Sequence, residues 1–164
     1  QGDAVKEAYS GKYDMMIAHP PCTYLSKAGA RWLYQNGEIN KERYEQGLKA
    51  KEFFFKMLNA PIKYIAVENP QPMNIYELPK FSQAIQPYEF GEPYSKKTLL
   101  WLKNLPPLMS TLIVSDYKPY LPSNTGGAKR GQKATFRNTT RKQRSKTFEG
   151  VAHAIATQWG SFLQ

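Results

Sequence analysis

Two short apolar runs, each cut off by proline, restrict the fold more than any other feature. Met15-Met16-Ile17-Ala18 is bounded by Gly11 and by Pro20-Pro21, and reads as a buried strand that stops abruptly. Tyr64-Ile65-Ala66-Val67 follows Pro61 and runs into Glu68-Asn69-Pro70-Gln71-Pro72, a second strand of the same kind. Between them, Asn40 is a good N-cap for a helix to about Asn59, with Tyr44, Leu48, Phe55 and Leu58 on one stripe expected to face the core. Strand, crossover helix and strand form the βαβ unit of a parallel sheet.

Chemistry-bearing residues follow both strands directly. The only cysteine, Cys22, lies just beyond the first, after two φ-locked prolines. Glu68 closes the second, and a carboxylate there is costly to bury unless it is paired or used. In open α/β sheets ligands bind in the crevice beyond the carboxyl ends of the strands, so parallel neighbours would bring both groups to one edge. A lone cysteine is also commonly an inert buried hydrophobe, and both readings stay open on residue type alone.

In their order, Pro20-Pro21-Cys22-Thr23-Tyr24-Leu25-Ser26 and Glu68-Asn69-Pro70 resemble the Pro-Cys loop and the Glu-Asn motif of the cytosine-C5 DNA methyltransferases, in a divergent, phage or bacterial type. The resemblance implies an α/β fold with a Rossmann-like class I methyltransferase sheet, mostly parallel with a C-terminal hairpin strand. It implies S-adenosyl-L-methionine as cofactor, with Asp3 and Pro20 beside it, and Cys22 and Glu68 as the catalytic pair. Pro21, Ser26, Asn69, Lys96, Lys129, Arg130, Arg137, Arg141 and Arg144 would meet the DNA. Gly91-Glu92-Pro93-Tyr94-Ser95-Lys96-Lys97-Thr98 is similar to the family's Gly-x-Pro-Gln-x-Arg-x-Arg segment. Here Tyr94 replaces the glutamine, and Lys96 and Thr98 replace the arginines. Lysine lacks the planar fork of arginine, and threonine supplies no charge.

The charge balance points to a polyanion independently. There are 23 basic and 13 acidic residues for a net charge of +10, the signature of a nucleic-acid partner. From Lys118 to Phe148 no acidic residue occurs, and nine lysines and arginines fall in that interval. A basic loop at 118–147 would thus stand where the family carries a larger target-recognition insertion. It reads either as a solvated disordered loop or as a phosphate-tracking segment with Phe136 for stacking.

The chain has 164 residues, expected to form a single catalytic-type α/β domain. No apolar run approaches the roughly 18 residues of a membrane span. One cysteine cannot make an internal disulfide and no Cys/His cluster has zinc spacing, which suggests a reducing cytoplasm and no structural metal.

The other segments read less sharply. Asp3 precedes a short polar helix over Val5 to Tyr9. Lys27 to Asn40 has no clear period, and is either an ordinary connection or the mobile loop the resemblance implies. Ala84 to Phe90 is a third strand candidate weakened by Pro87, and Thr147 to Phe162 is a helix with Val151, Ile155, Trp159 and Phe162 on one stripe. The family's Gly-rich cofactor turn has no counterpart in the sequence. The favoured expectation is a native chain extending before Gln1, with a second subunit or lost cofactor binding as alternatives. Two other functions also stay open: an amino-methyltransferase of DNA, which His19 and Cys22 fit poorly, and a non-catalytic DNA-binding protein derived from a methyltransferase.

Overall fold

The computed structural model describes residues 2–120, 145 and 147–163. In chain order its elements are α1 (Ala4–Ala8), β1 (Met15–Ala18), α2 (Ala30–Leu33), β2 (Tyr34–Gln35), β3 (Glu38–Ile39), α3 (Lys41–Leu58), β4 (Tyr64–Asn69), β5 (Gln83–Ile85), β6 (Tyr94–Ser95), β7 (Thr98–Lys103), β8 (Lys118–Pro119) and α4 (Glu149–Gly160). They fall into two compact units, Gln1–Gln83 with Leu99–Leu105 and Ala84–Thr98 with Pro106–Gln164. The fold is mixed α/β.

The first unit contains the expected βαβ. β1 and β4 pair in parallel, Met15 opposite Tyr64 through Ala18 opposite Val67. β7 adds on the other side of β4, antiparallel, with Val67 opposite Trp101 and Asn69 opposite Leu99. Ile65, Ala66, Val67, Leu99, Leu100 and Trp101 are buried, so β4 and β7 are covered on both faces. β1, expected to be buried, keeps only Ala18 buried, with Met15 and Met16 half-buried and Ile17 exposed, because it lies at the sheet edge.

α3 begins and ends as read, with Asn40 Oδ1 accepting from the Arg43 amide and Asn59 at the C-cap. Its buried face differs from the expected stripe. Gly47, Phe54 and Met57 are buried, Tyr44, Phe55 and Leu58 flank them half-buried, and Leu48 is exposed. The cause is Gly47, against which the buried Tyr76 ring lies so closely that a Cβ would overlap it. Tyr44 stacks on Tyr76 at 5.8 Å, and Phe54 meets the Trp101 ring edge-on at 5.0 Å.

The aperiodic segment from Lys27 forms a 3₁₀ turn, then α2, then a hairpin of β2 and β3. Asn36 and Gly37 take φ of 52° and 84°, the positive values that a type I′ hairpin turn requires. That dipeptide was the local signal for the hairpin.

In the second unit β6 pairs in parallel with β8. The expected strand over Ala84 to Phe90 is cut to β5, because Pro87 lacks an amide and opens a 3₁₀ turn over Pro87–Glu89, capped by the Glu89 carboxylate on the Gln86 amide at 2.7 Å. α4 buries Val151, Ala154 and Trp159 and leaves Ile155 half-buried, while Phe162 lies beyond its end, exposed. Trp159 Nε1 donates to the Pro106 carbonyl at 3.0 Å, and Gln158 pairs with both backbone polar groups of Met109. Among the described residues no helix is long and apolar enough to cross a membrane.

Candidate active site

The parallel register carries on past the strands themselves. One residue beyond the Ala18–Val67 pair, His19 Nδ1 lies 2.6 Å from Glu68 Oε2. One further, Asn69 Nδ2 donates to the Pro20 carbonyl at 3.2 Å. The Lys27 amide then donates to the Gln71 carbonyl at 2.9 Å, the Met73 amide donates to the Leu25 carbonyl at 2.8 Å, and Ser26 forms an antiparallel bridge with Pro72. The loop bearing Cys22 and the loop following Glu68 are joined on both sides of Cys22, at 19–20 and at 25–27.

Within this frame Cys22 starts a tight turn, its carbonyl accepting from the Leu25 amide at 3.1 Å and the Ser26 amide at 2.9 Å. Arg43 of α3 holds the turn from outside, donating from Nη2 to the Thr23 carbonyl at 3.0 Å while its guanidinium covers the Tyr24 ring at 5.0 Å. No sequence motif marked Arg43; it lies one turn into a helix whose function was read as packing. Cys22 is half-buried, and the side chains of His19 and Glu68 are 47% and 28% exposed. These groups are therefore open to a ligand.

The other expected contacts divide by position. Pro21 is exposed, whereas Pro20 and Ser26 are buried. Asn69 is fully buried and its Oδ1 has no hydrogen-bond partner among the described residues. In this geometry Asn69 and Ser26 are buried where the two loops meet, and Pro21, Cys22 and Glu68 keep accessible surface. Lys96 belongs to the second unit, where its ammonium lies over Phe148 at 5.7 Å and Tyr120 at 6.0 Å. Lys129, Arg130, Arg137, Arg141 and Arg144 lie outside the described residues.

A cavity of about 390 Å³ runs along the length of β1, from Tyr13 and Met15 to Pro20 and Pro21, with Ala4 and Ala8 of α1 and Phe53 and Met57 of α3 in its walls. Its size is that of a small-molecule site. Its walls are mostly apolar, with Glu7, Tyr13 and His19 as polar lining groups. Asp3 is not in the lining. Its carboxylate caps α1, accepting from the Val5 amide at 2.8 Å and the Lys6 amide at 3.3 Å, so the acidic group at the cavity is Glu7. Among the described residues no three potential metal ligands cluster.

No protein-family model, curated protein or solved structure matches the chain.

Proposed function

We propose that the chain is the catalytic part of a DNA cytosine-C5 methyltransferase with a Rossmann-like class I sheet, acting in the cytoplasm through a covalent bond from Cys22. The observation that carries this reading is the lacing of the Cys22 loop to the Glu68 strand end, anchored by the 2.6 Å His19–Glu68 contact.

C5 of cytosine is a weak nucleophile, and attack at C6 converts it into the electron-rich carbon of an enamine. Cys22, as thiolate, forms the bond to C6. Glu68 hydrogen-bonds N3 and places a proton there, so that negative charge does not accumulate on the ring. S-adenosyl-L-methionine, when bound, supplies the methyl group that C5 accepts. Loss of the C5 proton to solvent then expels the Cys22 thiolate, and the N3 proton returns to Glu68. Ala4, Ala18 and Pro20 would hold the adenine of the cofactor in the cavity beside the Cys22 loop.

The partner is DNA. A paired cytosine would have to leave the duplex to meet Cys22, and the cations of 118–147 would hold the backbone through charge without reading sequence. The test is incubation with DNA and S-adenosyl-L-methionine, followed by mass analysis of the nucleosides. Methylation at C5 is expected. Methylation at the exocyclic nitrogen would place the chain with the amino-methyltransferases, and DNA binding without either product would leave a non-catalytic binder.

A further inference from the structure

We infer that His19 is a positioning residue that occupies one oxygen of the Glu68 carboxyl group and so aims the other at the target base. The inference rests on the methyltransferase reading and adds to it a residue that the motif resemblance did not assign.

The contact between His19 Nδ1 and Glu68 Oε2 is 2.6 Å, so one hydrogen lies between the two groups. Either the imidazole donates it or the carboxyl does, and the two arrangements differ in what Glu68 offers a ligand. If Glu68 donated its proton to His19, both acceptor sites facing a pyrimidine would be lone pairs, and N3, itself an acceptor, would find no donor. If His19 carries the hydrogen on Nδ1, Oε2 is occupied as an acceptor. A proton on the carboxyl group then lies on Oε1 and is available to N3.

Backbone geometry makes the pairing a fixed feature. His19 and Glu68 follow strands in parallel register, and the next residues, Pro20 and Asn69, are joined by a buried hydrogen bond. The sheet register thus sets the backbones of His19 and Glu68 side by side. His19 is the more exposed member of the pair, so its Nδ1 contact holds Oε2 from the solvent side and leaves Oε1 for the ligand.

The test needs no cofactor. Addition of Cys22 to C6 activates C5, which takes up a deuteron from heavy water. Loss of the original C5 proton to the heavy water, with expulsion of the thiolate, returns cytosine deuterated at C5, counted by mass spectrometry. The full chain would be compared with His19→Leu, which keeps bulk and removes the donor, and with His19→Asn, whose amide N–H can occupy the Nδ1 position. Melting curves check that both variants fold. His19→Leu is expected to slow exchange by about 10-fold or more, the scale of a misplaced acid. His19→Asn should recover most of that loss. Unchanged exchange in His19→Leu, or a His19→Asn as slow as His19→Leu, would overturn the role of His19 alone. No exchange in the unaltered chain would overturn the methyltransferase reading and this inference together.

Discussion

Asn69, fully buried at the end of β4, donates its side-chain amide to the backbone carbonyl of Pro20 just beyond β1. A side chain of one strand thereby fixes the exit of its parallel neighbour, and with it the start of the Cys22 turn. Asn69→Ala would leave the Pro20 carbonyl without this donor, though it would also remove the Oδ1 atom that lacks a partner among the described residues. The two effects partly offset, and a loss of about 1–2 kcal/mol is expected. Asn69→Asp has no such relief, because it sets a buried carboxylate against a carbonyl oxygen. Chemical denaturation should rank Asn69→Asp as the less stable variant. The reverse order would mean that the amide does not hold Pro20.

Gly47 and Tyr76 should be coupled. In an exposed helix Gly→Ala stabilises by up to about 1 kcal/mol. At Gly47 the new methyl would meet the Tyr76 ring, and overpacking of this kind typically costs about 1–3 kcal/mol. Gly47→Ala is therefore expected to destabilise, and Gly47→Ala with Tyr76→Leu to cost less than the sum of the single changes. Additive losses in a double-mutant cycle would contradict the packing described.

Tyr76 also predicts a pH dependence. Burial raises the pKa of its hydroxyl above the ordinary 10.0, opposed by the Arg43 charge. The unfolded chain ionises near the ordinary value while the folded chain keeps its proton to higher pH. Stability is accordingly lost as pH climbs past about 10. The hydroxyl is buried with no hydrogen-bond partner among the described residues, so Tyr76→Phe should be at least as stable at neutral pH and gain about 1 kcal/mol if the full desolvation cost is relieved. Its alkaline unfolding midpoint should lie above that of the unaltered chain. An unchanged midpoint would mean that Tyr76 ionises equally in both states.

Arg43 supports the Cys22 turn from α3. Arg43→Met keeps the aliphatic stem and removes both the hydrogen bond to Thr23 and the cation over Tyr24. A stability loss of about 1–2 kcal/mol is expected from the two together. Modification of Cys22 by a thiol reagent should also change in rate, since its turn loses an anchor. Equal modification rates would show that the turn stands without Arg43.

What could be read from the sequence was what strong local signals carry. Paired apolar runs ended by proline give β1 and β4, and Asn40 gives the start of α3, because a buried strand and a helix cap each demand particular residue types. The hairpin of β2 and β3 was equally legible in Asn36-Gly37, but the mixed composition around it concealed the signal. The buried face of α3 was not legible. It is set by Gly47, whose role depends on a tyrosine nearly thirty residues away, and hydropathy assigns no face to glycine. At the site, the motifs pointed to Cys22 and Glu68 through strand adjacency. Arg43 and the His19–Glu68 contact had no such signal, since each depends on tertiary register. The resemblance sets Asp3 beside the cofactor, and in the structure its carboxylate caps the helix that begins at the next residue.

The central claim is that one ligand ring can meet the Cys22 sulfur and the Glu68 carboxyl group together. Its most direct test is DNA carrying 5-fluorocytosine with S-adenosyl-L-methionine, because fluorine at C5 blocks the elimination that would release the thiol. A denaturation-resistant protein–DNA adduct is predicted, mapping by peptide mass to Cys22, absent in Cys22→Ser and strongly reduced in Glu68→Gln. An adduct at another residue, or one formed equally well without the Glu68 carboxyl group, would contradict the account.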